Sequence, residues 1–217
     1  MIAIAERYKQ YTHFSFDLDG TLAHTLPQYR YEIVPSVVDK LGGKIDGQNM
    51  IDLFWFGTNR DRIVQEAFGI EPLVFWELFS QIDSSEYRAQ HTYPYEESQA
   101  VLNALKACGK TVSIITGSPE WIAKMEIEKI NASYDFHFSI AYSGFKDKPD
   151  PGAFLFVLDK LNIPVARTIY IGNSLEDAQF AENAGVDFVM IERGEHDSSL
   201  EWVGDKIYSL NELFEVI

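Results

Sequence analysis

The sequence predicts an α/β protein: a parallel sheet covered by helices on both faces, interrupted after its first strand by a helical insertion. Three observations carry this. Short apolar, β-branched runs recur at His13–Phe16, Thr111–Ile115, Phe138–Ala141, Thr168–Ile171 and Phe188–Ile191. Helix-period segments separate the last four, as expected for parallel strands joined through helices. Between His24 and Tyr93 no strand pattern is visible, and a stretch that long greatly exceeds an ordinary loop of about 4–6 residues.

Composition agrees with a folded chain. Of 217 residues, 46% are hydrophobic and 14% aromatic, which excludes a disordered polymer. The formal net charge of −15 argues against nucleic acid or an anionic membrane as partner. It does not exclude a small anionic substrate, which one local cation can hold. Cys108 is the only cysteine, so no intrachain disulfide is expected.

The elements follow in chain order. Met1–Ala5 is apolar but is broken at once by Glu6-Arg7, too short for a secretory signal. The longest apolar runs elsewhere, such as Phe154–Leu158, fall far below the roughly 20 residues of a membrane span. A cytoplasmic protein is expected. Within the insertion, Ile33, Val34, Val37, Val38 and Leu41 mark one helical face. Ile63, Ala67 and Phe68 mark a second, and Val74, Phe75, Leu78 and Phe79 a third. Trp55, Trp76, Phe54 and Phe56 either line a pocket or form the core of this insertion. Later helices are expected to start at Ser118-Pro119-Glu120, at Asp150-Pro151, and at Ser174, with Gly185 closing the last of them. Ser209-Leu210-Asn211-Glu212 reads as a capping box opening a C-terminal helix.

Four segments at predicted strand ends bear chemistry, and in open α/β sheets the carboxyl ends of the strands converge on the site. The first, Phe16-Asp17-Leu18-Asp19-Gly20-Thr21, puts two acids two residues apart, on one face if the strand continues. Such a pair needs a cation, a shared proton or a structural use, and Asp-Gly is also an ordinary turn pair. In the second, Thr116-Gly117-Ser118 leads into a helix start, which attracts anions or is simply capped. The third, Lys146-Asp147-Lys148-Pro149-Asp150-Pro151, offers two lysines for a phosphate or for solvent. In the fourth, Gly172-Asn173-Ser174-Leu175-Glu176-Asp177, oxygen-rich groups suit a hard cation such as Mg²⁺, or acids favour a helix dipole.

In order and spacing, the chain resembles the haloacid dehalogenase superfamily, specifically its helical-cap phosphatases of the phosphoglycolate phosphatase and β-phosphoglucomutase kind. The resemblance rests on Asp17-Leu18-Asp19-Gly20-Thr21-Leu22, Ile115-Thr116-Gly117-Ser118-Pro119, Lys148-Pro149-Asp150-Pro151, Gly172-Asn173-Ser174 with Asp177, and Ala184-Gly185-Val186. It implies a Rossmann-like three-layer core over 1–23 and 94–217, with a helical cap over 24–93. It implies Asp17 as nucleophile, forming an aspartyl-phosphate, and Asp19 as general acid and base. Asp19 points away from the dehalogenases, which lack that second acid. Thr116, Gly117, Ser118 and Lys148 would hold the phosphoryl group, with Lys148 matching the family position better than Lys146. Asp17, Asp19 through its carbonyl, Asn173 and Asp177 would hold Mg²⁺. Asn173 departs from the family, which usually has aspartate there, so the site loses one negative charge. His24, at the expected hinge of the cap, and Arg60, after Gly57-Thr58-Asn59, are candidates for substrate specificity. The expected partner is a small phosphorylated metabolite, met by a monomer or homodimer. A phosphomutase of the same fold and a phosphate-ester-binding regulator with weak turnover are the alternatives.

Overall fold

The computed structural model describes residues 2–57, 59–194 and 202–216. The chain divides into two compact units, Met1–His24 with Tyr93–Ile217, and Thr25–Thr92.

The larger unit is built on a six-stranded sheet. Its strands are β2 (His13–Phe16), β5 (Thr111–Thr116), β6 (Phe136–Ser139), β7 (Thr168–Gly172), β8 (Asp187–Ile191) and β9 (Lys206–Ile207), in the order β6-β5-β2-β7-β8-β9. Every pairing in it is parallel. β2 is central, and the chain builds outward from it first towards β6 and then towards β9. The strand order therefore reverses at β2, the place where α/β sheets form a crevice at their carboxyl ends.

Alternation of side chains sorts the sheet into two faces. Phe14, Phe16, Val112, Ile114, Ile169 and Ile171 pack with residues of α6 (Ser98–Ala107) and α7 (Glu120–Ile130) on one side. Ile115 and Tyr170 pack with Phe154 of α8 (Gly152–Leu161) and Phe180 of α9 (Leu175–Ala184) on the other. This second face also carries His13, fully buried, whose ring nitrogens meet Thr168 Oγ1 at 3.2 Å and Ser113 Oγ at 2.9 Å. Burial pushes this imidazole down to about 4 from its ordinary 6.5, against a weaker pull from Asp135. Above pH 6.5 the group is neutral folded or unfolded, and its stability contribution is complete. As pH falls from 6.5 towards 4, only the unfolded chain takes the proton, so about 2 kcal/mol is lost by pH 5. Denaturant unfolding at pH 7 and pH 5 should therefore show a smaller acid loss for His13→Gln than for the wild type. Equal losses would assign the acid sensitivity to other groups.

The smaller unit consists of α1 (Pro27–Lys40), α2 (Gln48–Phe56), α3 (Arg60–Glu66), α4 (Pro72–Ile82) and α5 (Ser85–His91). Pro27 and Pro72 sit in first turns, and the Glu71 and Ser84 side chains accept from Val74 N and Tyr87 N. Its core joins Ile33, Val34, Val37 and Val38 to Phe54, Phe68, Phe75 and Phe79. Phe54 lies in that core and Trp76 packs against it, ring centroids 5.7 Å apart, so these two aromatics are packing residues. Val64, not Ala67, gives α3 its buried contact. A buried Arg88–Asp83 pair, 3.1 Å apart, lies beside the Tyr29 hydroxyl, which donates to Asp83. The chain passes between the units through β3 (Ala23–Thr25) and β4 (Thr92–Pro94), which form a two-stranded sheet.

Three expectations are corrected. The Ser209–Glu212 capping box is present, but it opens one 3₁₀ turn, Leu210–Leu213, rather than a helix. The chain then extends as β10 (Phe214–Val216), antiparallel to β1 (Ile2–Ile4), because backbone pairing outcompetes a helix too short to propagate. β6 lies two residues earlier than the apolar run indicated. Ile140 N still bonds Thr116 O as the last rung of the ladder, and the chain then turns, with Ser143 N donating to Ile140 O at 3.0 Å and Tyr142 at φ +63°. Finally, α7 begins at Glu120 with Pro119 at the cap, and Ser118 caps nothing because its hydroxyl has a charged acceptor elsewhere. Among the described residues, no helix is long and apolar enough to cross a membrane.

Candidate active site

The larger unit brings the four predicted segments together at the carboxyl ends of β2, β5 and β7. Asp17 follows β2 directly, and its amide donates to Ile171 O at 2.9 Å, so the strand pairing carries on to the carboxylate. It therefore keeps the parity of His13 and Ser15 and lies on the α8/α9 side of the sheet. Beyond it, a tight turn folds Gly20, with φ of +76°, back so that its amide donates to Ala23 O. A side chain at Gly20 would come within 2.0 Å of Asn173 Nδ2, which shows how closely the Asn173 amide packs on this turn.

Lys148 is the electrostatic centre. It is 8% exposed, and its Nζ donates to Asp17 Oδ1 at 2.6 Å, Asp177 Oδ1 at 2.8 Å and Tyr170 Oη at 2.9 Å. Burial alone would discharge this lysine, but the two carboxylates outweigh it and hold the ammonium well above its ordinary range. Burial pushes the Asp17 carboxyl upward, opposed by Lys148 and reinforced by Asp177 and Asp19. Lys146, by contrast, is a solvent-facing side chain near Asp150.

Asp19 is half-buried, and its Oδ2 accepts from Ser118 Oγ at 2.6 Å. Thr116, 2% exposed at the end of β5, receives Ser118 N on its hydroxyl at 3.0 Å. Ser118, expected among phosphate binders, has its N–H on Thr116 and its hydroxyl on Asp19. Gly117 faces open space.

Asp177 shares Lys148 with Asp17. One oxygen meets Lys148 and the Tyr170 hydroxyl, and the other accepts from Ser174 N and Ser174 Oγ in a capping box that opens α9. A side chain at Gly172 would come within 2.6 Å of Asp177 Cβ, so only glycine lets α9 approach this closely. Asp177 is therefore a partner of Lys148, as Asp17 is, and the oxygens of Asp17, Asp19, Asn173 and Asp177 remain the set expected to hold a cation. Among the described residues no group of three or more His, Cys, Asp and Glu side chains forms a metal cage. One or two carboxylates with a neutral oxygen is the donor set that suits Mg²⁺, which relies on water and substrate phosphate for the rest.

His24 stacks on Tyr95, ring centroids 4.8 Å apart, and the Arg193 guanidinium lies 3.7 Å over the other partner, Tyr95. Arg193 also donates to Thr21 O at 2.8 Å and to Glu97 at 2.7 Å, fixing the turn after Asp19. Arg60 opens α3 and donates to Trp55 O at 2.9 Å within the helical unit, while Thr58 lies outside the described residues. Sequence reasoning missed Arg193, which follows β8 without any motif. It also missed Tyr170, whose signal was a lone phenol inside an aliphatic strand.

Comparison with known proteins agrees with this geometry. The family model for haloacid dehalogenase-like hydrolases matches residues 15–191. The chain is 28% identical over 189 residues to a phosphoglycolate phosphatase of Pseudomonas fluorescens, covering 82% of this chain and 68% of that protein. It is 27% identical over 202 residues to a phosphoglycolate phosphatase of Psychrobacter arcticus, covering 82% of each. In fold it is similar to a Bacteroides fragilis protein described as a haloacid dehalogenase-like hydrolase, with a TM-score of 0.78 and 23% identity over 94% of this chain and 99% of that one. The two aspartates, the buried lysine and the matched span together place this chain in the haloacid dehalogenase-like hydrolase family.

Proposed function

We propose that this protein is a Mg²⁺-dependent phosphatase that hydrolyses a small phosphorylated metabolite through an aspartyl-phosphate on Asp17. The observation that supports it most directly is the Asp17–Lys148 contact of 2.6 Å, a carboxylate nucleophile and its counter-cation buried together at a strand end. Lys148 fixes the Asp17 carboxylate and offsets charge on the phosphoryl oxygens, with the Thr116 hydroxyl and the Gly117 N–H as further donors. Asp17 attacks phosphorus as the ester P–O bond breaks, and Asp19, oriented by Ser118, delivers the proton to the leaving oxygen. Asp19 then takes a proton from water, which attacks the acyl phosphate, frees inorganic phosphate and restores Asp17. Mg²⁺ on Asp17, Asp19, Asn173 and Asp177 would supply positive charge that offsets repulsion between nucleophile and substrate. The helical unit is read as the cap that excludes water and selects the substrate, with Arg60 for an anionic tail and His24 at its hinge.

The test is release of inorganic phosphate from p-nitrophenyl phosphate and from a panel of small esters, headed by 2-phosphoglycolate because the relatives are named for it. Release is expected with Mg²⁺ and abolished by chelator. An isomeric phosphate ester as product would make the protein a mutase. Ester binding without release at any Mg²⁺ concentration would overturn the reading in favour of a regulator.

A further inference from the structure

We propose that Tyr170 is a positioning residue for Lys148, its phenol holding the ammonium in place from inside the sheet. An ammonium has three N–H donors and no acceptor. Here three acceptors meet it: Asp17 Oδ1, Asp177 Oδ1 and Tyr170 Oη. The three do different work. Asp17 is the group that changes in the reaction. Asp177 is tied down by the Ser174 hydroxyl and amide. Tyr170 is tied down by its own proton, which it donates to Ile115 O of β5, across the intervening β2, at 3.2 Å, with Asp177 Oδ1 a longer acceptor at 3.4 Å.

The phenol cannot drift. Tyr170 is fully buried, and its ring packs against Phe154, Phe180 and Phe188 at centroid distances of 5.1, 5.8 and 6.2 Å. Register explains its place: Tyr170 pairs with Ser15, two residues before Asp17, so both side chains leave the sheet on the same face. A neutral acceptor here satisfies the third N–H without adding a third carboxylate to a buried site already holding Asp17 and Asp177. When Asp17 carries the phosphoryl group, Asp177 and Tyr170 keep Nζ where it stands, and the N–H that faced Asp17 is the one that turns to a phosphoryl oxygen. Tyr170→Phe keeps the ring and removes the acceptor, leaving one N–H of a dry ammonium without a partner. The effect on turnover rests on the phosphatase reading; the holding of Lys148 does not.

The experiment therefore has two readouts on the full chain with Mg²⁺. The first is proton–nitrogen NMR of lysine ammonium groups, in which a shielded, hydrogen-bonded Lys148 gives a slowly exchanging signal identified by its absence in Lys148→Met. In Tyr170→Phe this signal is expected to shift and exchange faster, while in Phe188→Leu, which disturbs only ring packing, it stays. The second is hydrolysis of p-nitrophenyl phosphate. Tyr170→Phe is expected to lower kcat about 10-fold or more with KM within about twofold, the effect of one hydrogen bond to a charged group used in the transition state. Phe188→Leu retains kcat. An unchanged ammonium signal in Tyr170→Phe overturns the proposal whether or not the protein hydrolyses any ester. A changed signal with unchanged kcat overturns its link to turnover. A wild type inactive on every ester defeats the phosphatase reading alone, and the NMR signal still decides the positioning.

Discussion

Asp17→Asn is expected to abolish phosphate release, with a loss on the order of 10⁴-fold or more, while the protein remains folded. The amide keeps the shape of the side chain and can still accept from Lys148, but it has no anionic oxygen to attack phosphorus. Lys148 retains Asp177 and Tyr170, so the variant leaves no buried charge without a partner. One buried carboxylate that burial had pushed upward is removed, so melting temperature is expected to hold or rise. Phosphate release and thermal melting on the same samples check both statements. Turnover within tenfold of wild type would remove Asp17 from the nucleophile role.

Lys148→Met is expected to fail in both respects. It removes the cation between two carboxylates, each under one-tenth exposed, and leaves Asp17 and Asp177 facing each other uncompensated. Breaking a buried ion pair from one side is worth about 3–5 kcal/mol of stability, far more than an exposed pair. The loss should depend on pH with a definite sign. Without Lys148, burial and repulsion from Asp177 leave the Asp17 carboxyl raised further above its unfolded value, so the folded state binds more protons than the unfolded one. Stability then falls as pH rises and returns as pH drops and one carboxyl is protonated. Denaturant unfolding at pH 8 and pH 6 should show the variant recovering part of its deficit at pH 6. A pH-independent deficit would mean that the two carboxylates do not feel each other. Phosphate release is expected to be lost at both values.

Much of the core was legible because its causes are local. A parallel strand buried on both faces is a short apolar run, and β5, β7 and β8, with β-branched residues, and β2, with two phenylalanines, each announce themselves that way. Ser174 and Gly185 bound α9 through contacts within a few residues, so the expected helix matches the one observed. The C-terminal capping box misled for the opposite reason. Its local hydrogen bonds form, but the fate of the next residues is set by pairing with β1, some 210 residues away in sequence.

The candidate site divides along the same line. Sequence by itself singled out the residues proposed to carry chemistry: the Asp17/Asp19 pair, Thr116, Lys148 over Lys146, and the departure at Asn173. These are choices of residue type and spacing, and they survive without coordinates. Only the tertiary structure decided whom each residue touches. It set Asp177 and Asp17 on the same lysine, and it set the Ser118 hydroxyl on Asp19. It also drew Tyr170 and Arg193 into the site. An ammonium has three protons and a carboxylate two oxygens, and which partners fill them depends on register and helix approach between segments far apart in the chain. That allocation is a property of three-dimensional packing, to which no window of sequence has access.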